Sequence, residues 1–414
     1  MNGIYDVAIV GAGMVGAAAA SLLARAGFSV ALIEGSEPQP FNNAEPVGLR
    51  VSAFSPGSAR VLAEAGAWRL VQRNRYCPYR HMVVEDRDET ASIEFQAQEF
   101  GLDELGSIVE NELVQWALWQ ALQVMAGVEF YCPDRVANLS RGNDHAVLEL
   151  ESGTSLQASL VVGADGAGSQ VRELLGISQE HWEYGQMGLV GVVESAQPNS
   201  GVAWQRFMEG GPVAFLPLSD GSSSIVWSQP EAEARRLLEL DEESFLAELE
   251  QAVSGGPGHW PGTLKSCGPR AAFPLTMRLS ERYSGRRAAL IGDAAHVTHP
   301  LAGQGVNLGL MDAAGLVESL ITARRREQDI GSEKVLLKFD RWRRSEAELM
   351  CRGVHGIRGL FMPEEWGPLR RIGLGLVSRS WTAREAFIRR ATGNHRNAPA
   401  LARGQSLAKL LQPG

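Results

Sequence analysis

Tyr5-Asp6-Val7-Ala8-Ile9-Val10-Gly11-Ala12-Gly13-Met14-Val15-Gly16 opens the chain with a short, mostly apolar run that stops in a glycine-rich turn. By period, Tyr5 to Val10 reads as a strand buried on both faces, Met14 to Ala26 as an Ala- and Leu-rich helix, and Ser29 to Ile33 as a second strand. The three make a βαβ unit. In its first turn Gly11 forms the tight bend, Gly13 admits a pyrophosphate, and Gly16 lets helix and strand approach. Glu34 closes the second strand about twenty residues later, where a carboxylate accepts hydrogen bonds from adenosine ribose hydroxyls. A lone GxGxxG is a weak signal. The strand before it, the helix after it and the acid beyond turn it into a dinucleotide-binding prediction. The run from Val7 to Ile33 can be misread as a signal peptide or a membrane span, but Arg25 and the glycines weigh against both.

NAD and FAD present the same ADP half, so this motif does not separate them. Two later segments bear on the choice. Leu160 to Arg172 is a short buried strand ending in the glycine-rich turn Gly163-Ala164-Asp165-Gly166, followed by a predicted helix. Ala288 to His296 is a second apolar strand ending in Gly292-Asp293, with Asp293 placed to hydrogen-bond a ribitol hydroxyl at the carboxyl edge of the sheet. Six residues on comes His299-Pro300-Leu301-Ala302-Gly303-Gln304-Gly305-Val306-Asn307-Leu308-Gly309. Its glycines let a backbone lie flat against a planar ring system. Val306, Leu310, Ala313, Val317 and Leu320 then recur at helical spacing. A helix starting at this loop turns its amides and positive dipole end toward an anion such as a reduced isoalloxazine.

The 414 residues are 44% hydrophobic and 21% charged, which suits a large core divided over two or three domains. A net charge of -9 without a long basic run argues against nucleic acid, whose phosphates need clustered Lys and Arg. Cys77, Cys132, Cys267 and Cys351 are scattered, with no CxxC pair and no His at ligand spacing. Neither disulfides nor a metal site is predicted, and the expected compartment is the reducing cytoplasm.

Together, the GxGxxG, the Asp165-Gly166 turn and the Gly292-Asp293 turn resemble the three fingerprints of the single-component, FAD-dependent aromatic hydroxylases related to p-hydroxybenzoate hydroxylase, the group A flavoprotein monooxygenases. More narrowly, Arg50-Val51-Ser52-Ala53-Phe54, Val109-Glu110-Asn111, Phe215-Leu216-Pro217-Leu218, Phe273-Pro274-Leu275 and the His299 to Asn307 loop are similar to the ubiquinone-biosynthesis hydroxylase family, a resemblance running from about residue 4 to 390. It implies an α/β fold: a Rossmann-like FAD-binding domain, an inserted mixed or antiparallel β-sheet substrate domain, and C-terminal helices. The expected boundaries are 1–75, 100–180 and 270–330 for FAD, 76–99 and 181–269 for substrate, and 331–414 for the helical region.

Carried over by position, the resemblance implies that Gly11, Gly13, Gly16 and Glu34 bind the ADP half of FAD. Arg50 and Asn111 would lie near the flavin. Asp165 would lie near the pyrophosphate and the approaching nicotinamide, and Asp293 near the ribitol. Pro300, Gly303, Gln304, Gly305, Val306 and Asn307 would wrap the isoalloxazine. Val306 stands where Leu or Met is frequent, a conservative difference. The implied chemistry is reduction of flavin by NAD(P)H, addition of oxygen at C4a, and transfer of OH from the hydroperoxyflavin to an electron-rich phenol in a dry pocket.

Met187 to Val193, Val202 to Phe207, Val213 to Leu218 and Ser223 to Trp227 read as strands of an antiparallel sheet over the flavin. Val190, Trp204, Phe215, Leu216, Pro217, Trp227 and Phe273 are its large apolar residues. Phe215, Leu216 and Pro217 are the expected substrate contacts, suited to a phenol with a prenyl tail. His296 and His299 flank the flavin loop and read as hydrogen-bonded structural elements; no general base is evident, and catalysis is assigned to geometry. Three substrates fit the family: a 2-polyprenylphenol hydroxylated next to its hydroxyl, a methoxylated polyprenylphenol, and a later benzoquinol. The segment from Gly101 to Trp119, together with Phe215 to Asp220 and Ser224 to Ser228, looks most like the first type, while Trp116 to Leu122 and His181 to Tyr184 also resemble the third. A reductase or dehydrogenase of the same fold would keep every FAD motif, as would a non-catalytic FAD-binding partner. A halogenase is disfavoured because there is no WxWxIP segment. Leu369 to Ala391 mixes apolar residues with six arginines, and reads either as packing helices or as an amphipathic surface for anionic lipid or a partner. A polyprenyl substrate implies peripheral contact with the inner membrane or a complex with other quinone-pathway proteins. A dimer is the expected assembly.

Overall fold

A computed structural model describes residues 3–86, 92–254, 262–298, 305–361, 378 and 380–412. The N-terminal unit is strand β1 (Tyr5–Val10), helix α1 (Met14–Arg25) and strand β2 (Val30–Ile33). Ala17, Ala18, Ala19 and Ala20 are fully buried, and side chains this short let α1 lie close to the core. Next come strand β3 (Val51–Phe54) and helices α2 (Pro56–Glu64) and α3 (Trp68–Gln72). Helix α2 begins where the Ser55 hydroxyl accepts from the Ser58 amide, with Pro56 in its first turn. Strands β4 (Cys77–Tyr79), β5 (His81–Glu85), β6 (Ser92–Gln96) and β7 (Gly106–Glu110) lead to helix α4 (Asn111–Gln123). Strands β8 (Val128–Tyr131), β9 (Val136–Arg141), β10 (Ala146–Leu150) and β11 (Ser155–Gly163) precede the short helix α5 (Gln170–Leu174).

The second half starts with strands β12 (Gln179–Ser195), β13 (Val202–Arg206), β14 (Val213–Pro217) and β15 (Ser223–Pro230). Helices α6 (Glu231–Glu239) and α7 (Glu242–Val253) separate them from β16 (Leu264–Ser280). Strands β17 (Ser284–Gly285), β18 (Ala288–Leu290) and β19 (His296–Val297) are short. The chain closes with helices α8 (Gly305–Arg325), α9 (Glu333–Phe361), α10 (Trp381–Ala391) and α11 (Leu407–Leu411).

Strands β8, β2, β1, β11 and β18 run parallel, side by side in that order. Val10 lies opposite both Ile33 and Gly163, and Gly163 opposite Leu290, so four strands reach one edge together. Three glycine-bearing turns leave from that edge, where open parallel sheets bind their ligands. A second sheet has the order β19-β16-β12-β15-β14-β13-β5-β6 and is antiparallel except between β13 and β5. It therefore combines two separated stretches of chain, β5–β6 and β12–β16 with β19, and a three-stranded sheet β3-β7-β4 draws its strands from both sides of the first stretch.

Period-2 alternation gives the second sheet two unlike faces. Leu189, Trp204, Phe215, Ile225 and Trp227 pack with Leu237, Phe245 and Leu249 of α6 and α7 in one apolar core. Gly188, Val190, Ala214, Leu216 and Val226 occupy the alternate positions and line a cavity. Arg206 anchors the helical side: buried with Glu85, it donates to that carboxylate and to the carbonyls of Val253 and Ser254, closing the C-terminal end of α7.

Helix α8 is long and apolar enough to cross a bilayer, yet 78% of its apolar window is buried inside the protein, where it serves as a core helix. In the arginine-rich stretch, Leu369, Arg370, Arg371 and Arg379 lie outside the described residues. On α10, Trp381 stacks on Phe100 and Phe387 on Phe95, while Arg384, Arg389 and Arg390 pair with Glu99, Glu385 and Glu346. This helix packs by its aromatic rings.

Candidate active site

The first turn has the geometry its glycines require. Gly11 has φ +99, and a Cβ there would meet the Ala164 carbonyl oxygen at 2.5 Å. A Cβ on Gly16 would stand 2.0 Å from the Gly11 oxygen, so only glycine allows α1 this close to the turn. A Cβ on Gly13 would meet nothing within 4 Å, because that residue faces the cavity. The N-cap Gly13 has no side chain to occupy the first amides of α1, which leaves them for an anion. Glu34 closes the far side: it accepts from the amides of Ala12 and Gly35, tying the end of β2 to the turn.

The second turn uses its acid differently. Asp165 accepts from the Ser169 hydroxyl and the Val171 amide, so its carboxylate organises the start of α5, while Ala164 and Gly166 line the cavity. At the third turn Gly292 adopts φ +60 against Val15 of α1, and Asp293 opens onto the cavity. Behind this turn lies a buried cluster that the sequence reading did not identify. Asp312 of α8 accepts from the Gly292 amide (3.1 Å), His296 Nε2 (2.6 Å) and Arg343 Nε (2.8 Å). Burial by itself would push the Asp312 carboxyl up, but the His296 and Arg343 charges outweigh it and hold it below the ordinary range. His296 is the structural histidine the sequence suggested; His299 lies outside the described residues.

A cavity of about 560 Å³ joins the three turns to the second sheet. Gly13, Arg50, Asn111, Asp293, Gly305 and Val306 all line it, which brings together residues separated by almost 300 positions. Arg50 lies over the Phe273 ring at 5.9 Å, and the Asn111 carboxamide accepts from the Ser52 hydroxyl. Pro300, Gly303 and Gln304 lie outside the described residues. Asn307 departs from expectation: its buried carboxamide accepts from the Ser55 amide and donates to the Ala53 carbonyl, strutting α8 against β3 instead of facing the cavity. Phe215 and Pro217 depart as well. Of the expected trio only Leu216 lines the cavity, because alternation along β14 turns its two neighbours to the other face, where Phe215 is fully buried in the α6–α7 core. The residues that replace them, Gly188, Ala214, Ser224 and Ser228, are small and gave no signal as substrate contacts.

Asp293 is accessible through the cavity but surrounded by protein, and that burial pushes its carboxyl up, partly opposed by His296 and Arg50. An acid whose folded-state pKa is raised opposes folding once pH exceeds its unfolded value of about 3.9. Asp293→Asn is therefore expected to raise the melting temperature of the FAD-free protein at pH 7 while weakening FAD retention. The gain should vanish as pH falls below about 4, where the wild-type group is protonated in both states. Parallel melting curves and FAD titrations check this; a variant that melts lower at pH 7 contradicts it.

The profile of the FAD binding domain family matches residues 4–353. The 3-demethoxyubiquinol 3-hydroxylase of Escherichia coli is 38% identical over 394 residues, covering 94% of this chain and 98% of that protein. The ubiquinone hydroxylase UbiL of Rhodospirillum rubrum is 36% identical over 399 residues, covering 96% and 91%. Among solved structures, p-nitrophenol 4-monooxygenase PnpA from Pseudomonas putida superposes with a TM-score of 0.77 at 21% identity, covering 96% of this chain and 100% of that one, a likeness of fold. The glycine-bearing turns, the acid-bearing sheet edge and the cavity beside it accord with these matches: the chain belongs to the FAD-binding-domain family of flavoprotein monooxygenases, in the branch that holds the ubiquinone-biosynthesis hydroxylases.

Proposed function

We propose that this monooxygenase hydroxylates the ring of a polyprenylated phenol in ubiquinone biosynthesis, with a 2-polyprenylphenol hydroxylated next to its hydroxyl as the specific reaction. The observation that carries the reading is the cavity itself, in which the FAD-side residues Arg50, Asp293 and Val306 face a sheet wall of small and apolar side chains. When bound, FAD would accept two electrons from NAD(P)H and use them to activate O2 for transfer of one oxygen atom. Gly13 and the first amides of α1 would hold its pyrophosphate, Glu34 its ribose, and Asp293 its ribitol. Val190, Val226, Leu216 and Ala214 keep water from the reacting face, and their rigidity in the sheet fixes the ring's approach. An activated phenol needs aim more than an acid–base pair. Its polyprenyl tail is membrane-resident, so we infer that the enzyme meets substrate by peripheral membrane contact or within a complex of pathway proteins.

A second reading, a later benzoquinol substrate, is favoured by the name of the E. coli relative, a 3-demethoxyubiquinol 3-hydroxylase. Expression in strains each lacking one ring hydroxylase of the quinone pathway, with intermediates identified by mass spectrometry, separates them. Rescue of the strain blocked at 2-polyprenylphenol alone supports the first reading, and rescue only at demethoxyubiquinol the second. FAD-loaded protein that rescues none, and consumes NAD(P)H without one hydroxylated product per O2, returns the reductase reading.

A further inference from the structure

Gln205 stands out in the sheet wall. Trp204 and Arg206, its neighbours on β13, turn to the helical face and are buried there, whereas Gln205 lines the cavity and is partly exposed to it. Strand register sets Gln205 opposite Ala214, Ala214 opposite Val226, and Val226 opposite Val190. On β5 its partner is Val84. One carboxamide thus stands in a row otherwise made of alanine and valine. No hydrogen-bond partner for it exists among the described residues. Ser224 and Ser228 on the same face are almost fully buried in the wall, which leaves Gln205 on β13 and Thr276 on β16 as the partly exposed polar side chains of the sheet toward the cavity, and Gln205 is the one carboxamide.

A glutamine in such a row is tolerated while the cavity holds water, which satisfies both ends of the amide. Once an aromatic ring displaces that water, the carboxamide needs a new partner, because an unpaired polar group in a dry site is costly. A ring hydroxyl can either donate to the amide oxygen or accept from its nitrogen, and a ring carbonyl accepts from the nitrogen. The apolar neighbours supply contact area without direction. We infer that Gln205 is the specificity-determining residue that hydrogen-bonds an oxygen on the substrate ring and so decides which ring carbon faces the flavin side of the cavity. The inference rests on the aromatic-hydroxylase reading above.

The test compares FAD-loaded wild type with Gln205→Leu, similar in size but unable to hydrogen-bond, and with Gln205→Asn, which keeps the amide on a shorter stem. The probes are 2-farnesylphenol and a demethoxyubiquinol with a three-isoprene tail, each beside its O-methyl ether. Dissociation constants come from perturbation of flavin absorbance, and turnover is resolved into ring product and the side reaction NAD(P)H + H+ + O2 → NAD(P)+ + H2O2. For the phenol or quinol that wild type hydroxylates, preference over the ether should be about ten-fold, the worth of one good hydrogen bond. Gln205→Leu should reduce that preference to below two-fold, raise the H2O2 fraction and scatter the product isomers, with FAD content and melting temperature unchanged; Gln205→Asn should recover part of the preference. An active Gln205→Leu enzyme with wild-type preference, coupling and regiochemistry overturns the role of Gln205 alone. A wild type that neither binds nor hydroxylates either ring overturns the hydroxylase reading and this inference with it.

Discussion

Gly16→Ala is expected to yield protein that does not retain FAD through gel filtration, with below about a tenth of the wild-type flavin content. The added methyl would lie 2.0 Å from the Gly11 carbonyl oxygen and 3.0 Å from the Ala164 Cβ. Neither contact is with the far end of a flexible chain, so α1 or the turn must shift. The helix is backed by the fully buried Ala17 to Ala20, and over-packing of this kind costs about 1–3 kcal/mol or more. The shift falls on the amides that face a pyrophosphate. Gly13→Ala makes the contrast, since its Cβ would meet no protein atom within 4 Å. It should leave the FAD-free melting temperature unchanged and still weaken FAD, because the space it fills is the ligand's. Flavin-to-protein absorbance ratios and apo-protein melting curves distinguish the two. Wild-type flavin content in Gly16→Ala would contradict the close-approach argument.

Asp312→Ala is expected to produce the largest loss of stability of any change near the site. Asp312 is 0% exposed and Arg343 1% exposed, so removing the carboxylate strands a guanidinium in the core. Such a broken buried pair costs about 3–5 kcal/mol. It also deprives the Gly292 amide of its acceptor and frees the turn that carries Asp293. Asp312→Leu combined with Arg343→Met removes both charges and should recover much of the stability while leaving FAD retention poor. That outcome would separate the charge penalty from the anchoring of the turn; recovery of both together would show that anchoring is unimportant. The pH dependence has a definite sign. Because the folded carboxyl is held below its ordinary value, its contribution is complete above about pH 3.9 and is lost only as pH falls through the depressed folded value. Denaturation midpoints measured between pH 3 and 7 should therefore lose their wild-type advantage over the double variant at the acid end.

How much was legible beforehand depended on whether the signal was local. The βαβ unit, the glycines of its turn and the acid ending β2 are readable because each is dictated by backbone geometry within about thirty residues. The strands from Met187 to Trp227 were legible from their apolar patterning. Which of their faces meets the flavin was not. A period of 2 assigns residues to two sets but says nothing about which set is inside, and large aromatics such as Trp204, Phe215 and Trp227 drew the prediction toward the wrong face. They pack on α6 and α7, and the small residues opposite make the room.

Asn307 and Asp312 show the same division on a helix. Asn307 follows the glycine loop closely enough to suggest flavin contact, but the 100° step along α8 points it at β3, and it turns Asp312, for which the sequence suggested no site role, at the Gly292 turn. By itself the sequence determined the dinucleotide-binding unit and the α/β class, since these follow from short-range conformational limits on glycine and from strand and helix periods, while the FAD family followed from the resemblance of its three motifs to the flavoprotein hydroxylases. Only the tertiary structure decided that Arg50, Asn111, Gln205, Asp293 and Val306 share one cavity, and that Asp312 holds it from behind. Those relations are set by packing between elements hundreds of residues apart, and side-chain burial there depends on which surfaces meet.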